Sequence, residues 1–93
     1  MPKQKQDYVP DAIRASLLRV GTDLEEQGMV HQALTSYMKL IKQYPNTQEA
    51  SVAAENVLTI VEGMRKRGQH HMAMTVIDQL DAAIKAGGAE GKV

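Results

Sequence analysis

The sequence predicts an all-α fold of four antiparallel helices arranged as two helical hairpins. Three observations carry this. Apolar residues recur at a 3.6-residue period in four successive segments, glycine or proline stands at each junction, and the core-forming residues are Ala, Leu, Met, Val and Ile with no Phe or Trp. Small and aliphatic side chains that favour the helix suit helices packed closely together. At 93 residues the chain has room for one domain with a thin core.

The first helix is expected from about Asp11 to Gln27. Ile13, Leu17, Val20 and Leu24 form one apolar stripe, Pro10 is tolerated in a first turn, and Gly28 suits the left-handed residue that follows a last turn. The second is expected over about 30–44, with Val30, Ala33, Leu34, Tyr37, Leu40, Ile41 and Tyr44 on one broad face, and Pro45 stops it. Asn46 with Glu49 three residues on resembles a capping box, so the third helix should start near Thr47. It continues to about Arg67 and should be the longest. Gly63 inside it implies a close neighbour or a bend. After Gly68, the fourth helix is expected over about 69–86, and Gly87, Gly88 and Gly91 should then break it. The domain organisation is therefore a flexible N-terminal segment over 1–10, a helical domain over 11–86 and a flexible tail over 87–93.

The two helix pairs form an internal repeat. Gly28 aligns with Gly68, Ala33 with Ala73, Tyr37 with Ile77 and Leu40 with Leu80, each pair 40 residues apart, while Val20 and Leu24 match Ile60 and Met64. In each unit the glycine permits a tight reversal, the alanine lets two backbones approach, and the larger residues fill the space between helices.

Composition and charge exclude several functions. Eleven basic residues balance eleven acidic ones, so no net field draws in nucleic acid or anionic lipid. Without cysteine there are no disulfides, thiolate nucleophiles or cysteine metal sites. No apolar run reaches the roughly 20 residues of a membrane span, so no membrane insertion is expected, and a soluble cytoplasmic protein is the simplest reading.

Candidate chemistry is sparse. His31, His70 and His71 are the neutral-pH candidates. His70 and His71 are adjacent and diverge by about 100° on a helix, and His31 and His71 fall at equivalent repeat positions, which favours surface roles. Ser16, Ser36 and Ser51 lack the setting of an activated nucleophile, and Glu25, Glu26, Asp78 and Asp81 read as solvated carboxylates. No catalytic residue, metal site or cofactor is expected. Arg65, Lys66 and Arg67 make the one dense basic cluster, which the helix C-terminus already favours.

At eight places the first unit resembles the tetratricopeptide repeat, whose pattern spans roughly 34 residues. Leu17, Val20, Gly21, Leu24, Ala33, Tyr37, Leu40 and Pro45 fill its positions, with Gly28 at the turn between helices. The second unit is degenerate: Gly68, Ala73, Ile77 and Leu80 fit, but Val61 stands where a small residue is wanted and Lys85 replaces the closing proline. An ordinary four-helix bundle is the alternative architecture. The resemblance implies two stacked hairpins and a non-catalytic adaptor or small accessory subunit. Its first helices would line a groove for a partner protein through Ala15, Leu18, Thr22, Glu25 and Glu26, and through Glu55, Leu58, Glu62, Arg65 and Lys66. The family's carboxylate clamp is not expected, since Leu18 and Thr22 occupy its two principal first-repeat places. Alternatives are a homo-oligomeric scaffold, because two hairpins leave the ends of a stack uncovered, and a nucleic-acid-binding helical protein using Arg65, Lys66 and Arg67.

Overall fold

The computed structural model describes the backbone of residues 2–92 and the side chains of 12–87. Four helices follow one another: α1 (Pro2–Glu26), α2 (Val30–Gln43), α3 (Gln48–Lys66) and α4 (His70–Lys92). Helix α2 is central, packing on α1, α3 and α4, while α3 packs on α4 and meets α1 more lightly. This is the expected pair of stacked helical hairpins.

The two intra-unit turns have one construction. Gly28 (φ +84°) and Gly68 (φ +81°) are left-handed, a region that penalises any side chain with a Cβ. In each turn the residue after the glycine sends its N–H back into the preceding helix, Met29 to the Leu24 carbonyl and Gln69 to that of Met64.

The junction between units differs from the expectation. Thr47, not Asn46, caps α3: its Oγ1 accepts from the Ala50 N–H at 3.2 Å and donates to the Tyr44 carbonyl at 2.7 Å. Asn46 turns the chain with a φ of +66°, a conformation its short polar side chain tolerates. Glu49 does not close a capping box. Its Oε1 accepts from Arg14 Nε at 3.0 Å, tying α1 to α3. Its own backbone N–H, and then Arg14, hold this carboxyl below the usual range. Because the folded pKa is depressed, the stabilisation is present above the ordinary carboxylate pKa and disappears as pH falls from there through the lowered value. Glu49→Gln should therefore flatten that part of the acid-unfolding profile, read as thermal melts between about pH 6 and about pH 2.

Helix lengths also depart from expectation, since α1 with 25 residues and α4 with 23 both exceed α3 with 19. The backbone of α1 starts well before Asp11, through lysines and glutamines that favour the helix. That of α4 passes through Gly87, Gly88 and Gly91 rather than ending at Ala86. Gly87 is a packing residue, because a Cβ there would lie 3.0 Å from both the Ile41 carbonyl oxygen and the Pro45 Cβ. Of the expected flexible segments only the helical backbone of 2–10 and 87–92 and the packing of Gly87 are described; the side chains of 1–11 and 88–93 lie outside the described residues.

The core centres on Tyr37, Leu40, Val57 and Met64, the largest side chains shut off from solvent. Ala33, Ala73, Leu40 and Leu80 are buried at their paired positions, whereas Leu17 and Leu24 are half-buried. Two signature positions are not core. Val20 is 48 % exposed and Ile77 is 37 % exposed. The reason is positional: their partners, Ile60 and Tyr37, lie between units, while α1 has no unit before it and α4 none after it among the described residues.

Candidate functional site

Gly21 and Tyr37 set the shape of the face formed by α1 and α3. A Cβ on Gly21 would fall 2.4 Å from Tyr37 Cε1, so the ring lies directly on the α1 backbone. The Tyr37 hydroxyl donates to Glu25 Oε1 at 2.7 Å. Burial, and then the neighbouring Glu25 carboxylate, push its pKa well above the ordinary phenol value, so it remains a donor. Ser36 adds a second tie, its hydroxyl donating to the Leu17 carbonyl at 2.8 Å.

That geometry gathers Thr22, Glu25 and Glu26 from α1 with Asn56 from α3 around a shallow recess of about 300 Å³. Thr22 donates its hydroxyl to the Arg19 carbonyl and Glu25 is engaged by Tyr37, which leaves Glu26 as the exposed carboxylate of this group. Of the other expected groove residues, Ala15, Glu55, Glu62, Arg65 and Lys66 are exposed, and Glu62 lies 3.6 Å from Arg65. Leu58 is 52 % exposed, but Leu18 packs partly against the core. Asn56 was not anticipated. It follows Glu55, and its 40-residue counterpart is Ser16, another small polar residue; that pairing was the available signal.

A much larger groove, about 860 Å³, runs between α2 and α4 on another face of the molecule. Leu34, Met38, Met72 and Val76 give it an apolar floor, and Ala82, Ala83 and Ala86 leave it open because they lack bulk. Lys39 and Lys42 stand along its α2 rim. His31 also lines it, whereas His70 and His71 are exposed at the start of α4. Arg65, Lys66 and Arg67 are exposed at the end of α3, the Arg67 guanidinium lying back over Gly63. No group of three His, Asp or Glu side chains among the described residues is placed to hold a metal ion.

The first of the two hairpins is of a recognisable kind. Residues 15–47 match the tetratricopeptide-repeat family model. The matched tetratricopeptide repeat covers the second half of α1, all of α2 and the turn into α3; the second hairpin lies outside it. No curated protein and no solved structure matched the chain. Among the described residues no helix is long and apolar enough to cross a membrane.

Proposed function

We propose that the chain is a non-catalytic adaptor or small accessory subunit that docks another protein on the face formed by α1 and α3. The observation that carries this reading is the tetratricopeptide repeat at 15–47, a module whose general role is protein–protein interaction. The surface supports it in kind: exposed Leu58 supplies an apolar contact, and Glu26, Glu62 and Lys66 are exposed charged groups of the same two helices that can orient a partner.

Photo-crosslinking residues placed at Glu26, Leu58 or Glu62 in the full chain should capture one and the same protein in cells. Gln69, in the turn before α4, serves as the control position. Equal capture from Gln69, or different proteins from the three face positions, overturns the assignment. With a partner in hand, Leu58→Glu should weaken binding by about tenfold or more, since it places a charge in the apolar centre of the contact.

A further inference from the structure

The groove between α2 and α4 specifies what fits it. Thr35 and Thr75 on its two walls give their hydroxyls to the carbonyls of His31 and His71, both at 3.1 Å, four residues back on their own helices. Neither threonine proton is then available to a ligand's backbone, and a helix, which satisfies its own N–H and C=O groups, needs no such donor. The floor calls for an apolar ridge, and Met38 and Met72 can adjust to its shape. Lys39 and Lys42 favour acidic residues beside that ridge, and no carboxylate among the described residues lines the groove.

A helix of this description is present on the chain itself. On the side of α4 away from the groove, Met74, Ile77 and Ile84 are 58 %, 37 % and 51 % exposed, and Asp78 and Asp81 share that side. Their counterparts 40 residues earlier are Leu34, Tyr37, Tyr44, Met38 and Ile41, all packed in or against the core. Two apolar positions have thus become aspartates. A third hairpin stacked in register would bury those carboxylates, but a basic groove would pair them.

We infer that the outer ridge of α4 in one copy docks into the α2/α4 groove of a second copy. Ridge and groove lie on opposite sides of α4, so the contact is head to tail, and an open assembly keeps one free groove at one end and one free ridge at the other unless a ring closes. Asp81 lies 3.1 Å from Lys85 in an exposed pair, which costs little to exchange for a lysine of the neighbour. This docking uses a different face from the partner site proposed above and stands independently of it.

Sedimentation velocity of the full chain from about 10 µM to about 1 mM tests the inference, the range suited to a small, partly polar interface. The sedimentation coefficient should rise with concentration. Lys39→Glu/Lys42→Glu and Asp78→Lys/Asp81→Lys should each weaken self-association by about tenfold or more, because like charges then face each other. An equimolar mixture of these two variants restores complementary pairs at both kinds of contact and should assemble, as should the chain carrying all four changes. All four residues are exposed, so unchanged circular-dichroism melts separate assembly from folding. A monomer throughout the range, association indifferent to either charge reversal, or a mixture that stays dissociated overturns the inference.

Discussion

Tyr37→Ala should destabilise the domain by about 3–5 kcal/mol, the range for deleting a fully buried aromatic side chain. For 93 residues the whole folding free energy is about 5–14 kcal/mol, so this single change removes a large part of it. The ring is shut off from solvent, rests on the Gly21 backbone and fixes Glu25 through its hydroxyl, so α1, α2 and the Glu25 side chain all lose a contact. Tyr37→Phe isolates the hydroxyl. It should cost only about 1 kcal/mol, because Glu25 is half-exposed and water can replace the lost donor. Urea denaturation of the two variants measures both, and equal losses would show that the hydrogen bond rather than the ring holds the unit together.

Gly21→Ala and Gly63→Ala should have effects of opposite sign, although both place alanine inside a helix, where it is intrinsically better than glycine by about 1 kcal/mol. At Gly21 the new methyl would lie 2.4 Å from Tyr37 Cε1 and 2.8 Å from Cδ1. The buried, anchored ring has nowhere to go, so α1 must move away, an overpacking cost of about 1–3 kcal/mol or more that exceeds the propensity gain. At Gly63 the nearest atom to a new Cβ is the Arg67 guanidinium at 3.3 Å, the mobile end of an exposed side chain. Gly63→Ala should therefore stabilise by about 0.5–1 kcal/mol. Thermal melts of both variants decide the matter, and a stabilised Gly21→Ala would mean that the ring can leave its seat. The second unit has solved the same crowding differently, with Val61 and Ile77 where the first has Gly21 and Tyr37. Tyr37→Leu should accordingly recover part of the stability that Gly21→Ala removes.

The hairpins were legible because their signals are local. Gly28 and Gly68 lie where a helix must reverse, and Ala33, Tyr37 and Leu40 fall at a helical period that buries them whatever surrounds the unit. What depends on neighbouring units was less legible. Val20 and Ile77 carry core residue types at uncovered ends. Gly87 resembles a helix breaker until Pro45, forty-two residues away, is seen against it. Likewise Asn46 offered a cap in the sequence, but the backbone required a left-handed residue there and passed the role to Thr47. On the α1/α3 face, Thr22, Glu25 and Glu26 converge because they share one side of one helix, whereas Asn56 joins them through packing between helices. The α2/α4 groove was hidden for the same reason. Its breadth results from alanines on α4 standing across from lysines on α2, a relation set by how two non-consecutive helices align.

The Thr47 hydroxyl has a mechanical consequence. It accepts from the first turn of α3 while donating to the last turn before it, so one oxygen spans the only covalent link between the two hairpins. Twisting one hairpin against the other stretches these two hydrogen bonds together with the Arg14–Glu49 strut. The Thr47 hinge and this brace both sit in the first turn of α3, so this one turn sets the angle at which the second hairpin leaves the first.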